Sequence, residues 1–172
     1  MGGALPDMAE RKILIAGGGT GGHLFPALAI GEEIHRREPN AMIHYVGSNF
    51  GLEARVFPVK DVWHTLLPIR GFQRGLSLQS LGRNMLLPTR IIRSMLKMRS
   101  LLLDFLPEVV VGTGGYASAL PLYMASRKAE PLPIILQEQN SFPGVTTRWF
   151  AEKAKTICIA FKEANDYLER ET

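Results

Sequence analysis

The sequence predicts an α/β fold built on a doubly wound parallel sheet. Short apolar runs alternate with helical patterns along the 172-residue chain, which favours parallel strands joined by crossover helices. Two of these runs, 12–16 and 109–112, end in glycine-rich turns that lead into helices. The second run is apolar throughout, as expected of a strand buried on both faces.

The first half of the chain divides into short strands and helices. After the first glycine turn, Leu24, Leu28 and Ile34 recur at helical spacing, and Pro26 falls in the first helical turn, where a missing N–H is tolerated. The elements predicted here are a strand at 12–16, a helix at 23–37, a strand at 42–46, a short helix at 52–57 and a strand at 64–69.

The second half continues this alternation. Pro88 interrupts the helical pattern of 78–103, which indicates two helices or one kinked helix. The elements that follow are a strand at 109–112, a helix ending near 128, a strand at 133–136, a helix ending near 153, a strand at 156–160 and a helix at 162–168.

Three predicted turns should meet at one edge of the sheet. In a doubly wound sheet of order 3-2-1-4-5-6, the first and fourth strands are neighbours, and ligands bind outside the carboxyl ends of the strands there. Both glycine turns and the loop after the fifth strand open on that edge. Their candidate binding residues are Gly18, Gly19, Thr20, Gly21, Gly22, His23, Gly114, Gly115, Tyr116, Ser118, Glu138, Gln139 and Asn140.

The first glycine turn favours an anion, because its backbone N–H groups and the dipole of the following helix attract negative charge. Gly17-x-Gly19-x-x-Gly22 also fits the dinucleotide fingerprint. However, the end of the second strand and the turn after it, Tyr45-Val46-Gly47-Ser48, lack the carboxylate that holds a ribose. A nucleotide-binding module or dehydrogenase stays an alternative, which an NADH titration would test. A P-loop is unsupported, because no Lys-Ser/Thr pair closes the turn. A turn that only packs helix on strand is the structural alternative.

Composition is that of a globular protein, with one α/β domain expected over 11–172 and a disordered leader over 1–10. No apolar run reaches the roughly 18 residues needed to span a bilayer. Cys158 is the only cysteine and is expected to be buried and inert, which fits a cytoplasmic location. No His/Cys cluster has zinc spacing and no Asp-x-Asp pair occurs, so neither a metal nor another cofactor is expected.

The basic residues concentrate in one segment of a chain whose net charge is +4. Residues 62–103 contain no Asp or Glu but seven Arg or Lys, which favours an anionic partner. A membrane surface is favoured over nucleic acid, because no nucleic-acid-binding motif accompanies the charge. A sheet-covering helix with a solvated basic face is the alternative. The expected membrane patch comprises Phe72, Arg74, Leu76, Leu78, Leu81, Arg83, Met85 and Arg90.

Three motifs can be compared with known families. They are Gly17-Gly18-Gly19-Thr20-Gly21-Gly22-His23-Leu24-Phe25-Pro26-Ala27, then Gly114-Gly115-Tyr116-Ala117-Ser118, then Glu138-Gln139-Asn140 with Pro143-Gly144 and Thr147-Arg148-Trp149. Together they resemble the MurG family of N-acetylglucosaminyltransferases, which have two Rossmann-like domains in the GT-B arrangement. The resemblance covers the first domain only, so the C-terminal donor-binding domain is expected to be absent from this sequence.

The resemblance implies transfer of N-acetylglucosamine from UDP-N-acetylglucosamine to lipid I, forming lipid II in peptidoglycan synthesis at the cytoplasmic face of the inner membrane. The glycine loops would hold the diphosphate of lipid I, Tyr116 and Glu138 would line the acceptor side, and Asn140 would reach the donor sugar. His23 and Glu138 are the candidate catalytic residues, with His23 as general base unless it only caps the helix or orders the loop. A membrane-recruitment subunit of a bipartite transferase is the alternative.

Two departures from the family pattern are visible. Gln137 stands where the family usually has His, which removes one titratable group. The family usually has Gly-Pro directly after its Gly-Tyr-x-Ser motif. Here Ala119-Leu120-Pro121 places the proline one residue later, so the local turn is expected to differ. With the donor-binding domain missing, this stretch of chain alone is expected to be inactive.

Overall fold

The chain forms a six-stranded parallel sheet with helices packed on both faces. The structure, a computed structural model, describes residues 10–71 and 87–168. The strands are β1 (Lys12–Ala16), β2 (Met42–Ser48), β3 (His64–Leu67), β4 (Val109–Gly112), β5 (Ile134–Glu138) and β6 (Thr156–Ile159). Their order in the sheet is β3-β2-β1-β4-β5-β6, which confirms the predicted fold class and strand order.

The helices connect successive strands. They are α1 (Gly21–Arg37), α2 (Glu53–Val59), α3 (Leu87–Phe105), α4 (Tyr116–Ser126) and α5 (Val145–Phe150), followed by a 3-10 helix (Lys162–Tyr167) in place of the predicted final α-helix. Because α1 begins two residues earlier than predicted, Pro26 lies in its second turn. Pro88 lies in the first turn of α3, where proline is tolerated.

The strand register aligns the ends that carry the loops. Ala16 at the end of β1 pairs with Val46 of β2 on one side and with Gly112 at the end of β4 on the other. Gly112 in turn pairs with Leu136 of β5. The loops that leave β1, β4 and β5 therefore start at the same edge of the sheet, as a doubly wound topology requires at its switch point.

Alternate strand residues enter two cores, one on each face of the sheet. Leu14 and Ala16 of β1 face a cluster formed largely by α3, α4 and α5, whereas Ile13 and Ile15 face a cluster formed by α1 and α2. This alternation follows from the period of two in a strand. Burial on both faces fixes the position of β1, so the glycine-rich turn that follows it is rigidly placed.

The α3 helix has two apolar faces. Ser94, Met98, Leu102 and Phe105 are buried against the sheet, at the spacing of one helix face. A second set of large apolar side chains on α3 is exposed, and it comprises Ile91, Ile92, Met95, Leu96 and Leu103. An apolar surface of this kind on a basic helix is characteristic of an interaction site.

Cys158 was expected to be buried, but it is exposed. The reason is that β6 is the last strand of the sheet, and its residues 156 and 158 face solvent.

Parts of two predicted segments lie outside the described residues. They are residues 1–9 of the predicted leader and these members of the predicted membrane patch: Phe72, Arg74, Leu76, Leu78, Leu81, Arg83 and Met85. Within the described chain, no helix combines the length and apolar character needed to cross a bilayer.

Candidate functional site

The two glycine-rich turns touch each other at the sheet edge. We call residues 17–22 the first glycine loop and residues 112–115 the second glycine loop. A side chain at Gly115, which has φ 76° and ψ 167°, would clash with the carbonyl oxygen of Gly18. A side chain at Gly114, with φ 95°, would approach Nδ1 of His23 to 2.8 Å. Glycine is therefore required twice in the second loop, both for its backbone conformation and for this close approach.

His23 is held between these loops by one of its ring nitrogens. Its Nδ1 lies 3.0 Å from the carbonyl oxygen of Thr113 and 2.7 Å from the side-chain amide nitrogen Nε2 of Gln139. The Thr113 hydroxyl donates a bond of 2.7 Å to the backbone carbonyl of His23. Contacts from the segments after β4 and β5 thus fix a histidine in the first turn of α1, as the predicted convergence of three loops requires.

We assign the tautomer of His23 from the partners of Nδ1. A carbonyl oxygen only accepts, so Nδ1 carries the hydrogen that faces Thr113. The amide oxygen of Gln139 has no other partner among the described residues, and a 180° turn of the amide lets it accept the same hydrogen. Nε2 then carries the lone pair, and it has no hydrogen-bond partner in the described part of the chain. This nitrogen is available to accept a proton from a ligand.

The first glycine loop provides backbone donors at the start of α1. The N–H groups of Thr20, Gly21 and Gly22 have no hydrogen-bond partner among the described residues. They lie at the N-terminus of a 17-residue helix, where the helix dipole adds positive potential. The N–H of Gly19 differs, because it donates a bond of 2.8 Å to Oε2 of Glu53. The prediction that the loop can receive an anion therefore applies to residues 20–22 rather than to the whole turn.

Glu53 is a functional residue that the sequence analysis missed. It is fully buried, and its carboxylate accepts bonds of 2.8 Å from the backbone N–H groups of Gly19 and Ser48. In sequence it is an ordinary acidic residue at the start of a short helix, with no signal of its long-range contact. By joining the first glycine loop to the end of β2, it sets the shape of the loop. Because it is buried, this carboxylate does not supply the ribose contact of a dinucleotide site.

Glu138 is placed differently from the expectation that it acts on the substrate. Only 1 % of it is exposed, and both carboxylate oxygens are occupied. Oε1 accepts bonds from the backbone and side chain of Asn140, and Oε2 accepts bonds from Gly144 N–H and the Thr147 hydroxyl. Burial raises its pKa, but the donors from Thr147, Gly144 and Asn140 outweigh burial and hold the pKa below its ordinary value. The carboxylate is an internal brace of the loop after β5, and its predicted catalytic role stays a prediction.

The remaining predicted site residues divide into two groups. Tyr116 is half-buried beside the first glycine loop, where a Gly19 side chain would meet its ring, and its hydroxyl donates a bond of 3.3 Å to Ser48 Oγ. Asn140 is exposed at the mouth of the loop after β5. Ser118 is buried, and its hydroxyl donates to the Gly115 carbonyl. Ser118 thus braces the second glycine loop, and the predicted binding roles of Tyr116, Ser118 and Asn140 stay predictions.

Comparison with protein families matches residues 13–159 to the glycosyltransferase family 28 N-terminal domain. Two curated relatives carry the name UDP-N-acetylglucosamine–N-acetylmuramyl-(pentapeptide) pyrophosphoryl-undecaprenol N-acetylglucosamine transferase. The protein from Chlorobaculum tepidum is 42 % identical over 156 residues, covering 91 % of this chain and 42 % of the relative. The protein from Bacillus subtilis is 36 % identical over 160 residues, covering 93 % and 42 %. The chain thus spans about two fifths of the length of these relatives.

A solved structure supports the same fold. The crystal structure of Acinetobacter baumannii MurG aligns with a TM-score of 0.70 over 90 % of this chain and 42 % of that one, at 23 % sequence identity. The match is to one Rossmann-like half of a longer protein, as the motif resemblance indicated. All three glycine and loop motifs of the site fall inside the matched family region.

Proposed function

The chain belongs to glycosyltransferase family 28, and we propose that it is the acceptor-binding half of an N-acetylglucosaminyltransferase. The acceptor would be the one that the curated relatives' name describes, N-acetylmuramyl-(pentapeptide) pyrophosphoryl-undecaprenol, or lipid I. The donor would be UDP-N-acetylglucosamine. We assign the donor site to a second domain, because the relatives are more than twice as long as the matched region.

The orientation of His23 is the observation that carries this proposal. Its Nδ1 is fixed by Thr113 and Gln139, which leaves Nε2 as the basic nitrogen at the crevice. In the proposed reaction, Nε2 accepts the proton of the acceptor hydroxyl as that oxygen attacks the anomeric carbon of the donor sugar. UDP departs from the opposite face, so the configuration inverts without a covalent enzyme intermediate. With the assigned tautomer, Nε2 of His23 would be the nitrogen that performs the proposed base role.

The first glycine loop supports binding of the acceptor's diphosphate. Three N–H groups at residues 20–22, at the N-terminus of α1, have no partner among the residues that the structure describes. Backbone donors at a helix N-terminus suit a phosphate group. Tyr116 and Asn140 complete the acceptor and donor sides of the crevice in this proposal.

The exposed apolar face of α3 supports attachment to the membrane that holds the lipid tail of the acceptor. We define this α3 apolar face as Ile92, Leu96 and Leu103, which are 57 %, 61 % and 61 % exposed. Arg93 and Arg99 of the same helix are exposed beside it. Apolar side chains with neighbouring cations suit the interface of an anionic leaflet. We therefore place the protein peripherally at the cytoplasmic face of the inner membrane.

A chimera tests the proposal. Residues 13–159 of this chain would replace the matching segment of the Chlorobaculum tepidum relative, and transfer of labelled N-acetylglucosamine to a short-chain lipid I analogue would be measured. Product formation that stops when UDP-N-acetylglucosamine is replaced by UDP-glucose or the analogue is omitted would support the proposal. A folded chimera that binds UDP-N-acetylglucosamine but neither binds the analogue nor forms product would overturn it.

A further inference from the structure

Two arginines on different elements of the fold contact one aromatic ring outside the site described above. The guanidinium carbon Cζ of Arg70 lies 4.5 Å from the centroid of the Phe50 ring, and that of Arg90 lies 5.1 Å from it. Phe50 follows β2, Arg70 follows β3, and Arg90 is in the first turn of α3. We call Arg70 and Arg90 the arginine pair. Each is half-buried, and the Phe50 ring is 41 % exposed, so the cluster is open to a ligand.

The arginine pair has no carboxylate counter-charge within residues 10–71 and 87–168. The ion pairs formed within the described residues use other cations, namely Arg11, Arg36, Arg37 and Lys60. The sequence from 62 to 103, which contains both arginines, has no Asp or Glu at all. The ring face attracts each guanidinium, but it does not neutralise either charge. An anion bound beside the ring would supply that missing counter-charge.

Ser48 links the arginine pair to the crevice. Its hydroxyl, fully buried at the end of β2, accepts bonds from Phe50 N–H at 3.0 Å and from the Tyr116 hydroxyl at 3.3 Å. It donates a bond of 2.6 Å to the carbonyl of Ile69, the residue before Arg70. The Tyr116 ring also lies against Gly71, since a side chain there would approach the ring to 3.1 Å. One buried hydroxyl thus joins the turn under the arginine pair to the tyrosine beside the glycine loops.

We infer that the arginine pair binds a phosphate group at this edge of the sheet, an inference that rests on the proposed function. Guanidinium groups present paired N–H donors that match phosphate oxygens. Two sources share this chemistry, namely the diphosphate of the acceptor and the headgroup phosphate of an anionic lipid. The arginine pair lies beside the glycine loops, which suits the diphosphate of the acceptor. Arg90 also lies at the start of α3, the helix that carries the α3 apolar face, which suits the headgroup of an anionic lipid.

The test measures two kinds of binding with the same set of variants. Titration calorimetry at low salt would measure binding of inorganic pyrophosphate, and sedimentation would measure binding to vesicles of phosphatidylglycerol and, separately, of phosphatidylcholine. The variants are Arg70→Gln and Arg90→Gln, with Arg55→Gln as the control, because Arg55 is an exposed arginine of the neighbouring α2 helix. Phe50→Leu removes the ring while keeping an apolar side chain. Circular dichroism would check that each variant is folded.

We expect each variant of the arginine pair to weaken binding at least about tenfold, the effect of losing one charge-assisted hydrogen bond, while Arg55→Gln changes it less than twofold. A loss in the pyrophosphate titration identifies the acceptor diphosphate as the source, and a loss confined to phosphatidylglycerol vesicles identifies the lipid headgroup. Phe50→Leu should weaken the same binding. Folded Arg70→Gln and Arg90→Gln proteins that match the wild type in both assays would overturn the inference. An active chimera would then still support the proposed function, so the two failures are distinct.

Discussion

At the residue scale, His23 is the group with the clearest expected effect on catalysis. In the chimera, His23→Ala should lower kcat about 10²–10⁴-fold, the usual effect of losing a general base, while the affinity for UDP-N-acetylglucosamine changes little. The matched control is His35→Ala, because His35 is an exposed histidine on the same helix. Steady-state kinetics with both substrates would measure the effect. A His23→Ala chimera with nearly full kcat would show that His23 only orders the loops.

His44 is expected to make folding stability depend on pH. It is 3 % exposed and packs against Trp63 and Phe105, and burial, with a smaller contribution from the charge of His64, lowers its pKa from 6.5 to about 4. The unfolded chain therefore takes up this proton before the folded chain does. The stability present above pH 6.5 should fall as the pH drops towards 4, by about 1–2 kcal/mol at pH 5.

Urea unfolding at pH 7 and pH 5 would measure this dependence on His44. In His44→Gln the difference in free energy of unfolding between the two pH values should shrink by that amount, because Gln does not titrate. The exposed His35→Gln variant should behave like the wild type. An unchanged pH dependence in His44→Gln would assign the effect to other groups.

The two buried carboxylates show where prediction from the sequence stops at this scale. The residue types at the crevice were predictable, because glycine turns and polar loops follow apolar strands. The roles of Glu53 and Glu138 were not, because each depends on backbone N–H groups that only the folded chain brings together. Glu53 reaches the Gly19 N–H across 34 positions of the sequence. Glu138 accepts hydrogen bonds from the loop that it closes, and these contacts are not visible in the sequence.

At the element scale, the contact between the two glycine loops should be essential for folding. Gly115 has a backbone conformation that is nearly exclusive to glycine, and its added methyl would also clash with the Gly18 carbonyl. Gly115→Ala should therefore destabilise the protein by at least about 2 kcal/mol. Gly22→Ala is the matched control in the first loop, since a methyl there meets only Thr20 Oγ1, at 3.9 Å. Denaturant unfolding of both variants would test this, and equal stabilities would contradict it.

The α3 apolar face should determine membrane binding. Ile92→Ser with Leu96→Ser should greatly reduce sedimentation with phosphatidylglycerol vesicles, because each substitution removes roughly 2 kcal/mol of apolar burial in the interface. Val59→Ser is the control, since Val59 is 87 % exposed on α2. Equal binding of the double variant and the wild type would show that another surface attaches the protein to the membrane.

At the scale of the whole molecule, the alternation of strands and helices was enough to predict the sheet order. Strands buried on both faces, such as Val109–Gly112, have sharp boundaries in sequence and were predicted to the residue. Boundaries at strand ends were less accurate, because β2 continues through Gly47 and Ser48, which turn signals in the sequence assigned to a loop. The exposure of Cys158 likewise depends on β6 lying at the sheet edge, a property of the assembled sheet rather than of the local sequence.

Residues 1–172 by themselves should bind a short-chain lipid I analogue through the crevice but should not transfer sugar to it. The reason is that the matched region contributes one wall of the proposed active site, whereas transfer requires the donor to be oriented and the charge on the departing UDP to be stabilised. Incubation of the purified chain with UDP-N-acetylglucosamine and the analogue should give no disaccharide, whereas the chimera under the same conditions should give product. Turnover by residues 1–172 alone would show that the crevice between the glycine loops holds both substrates.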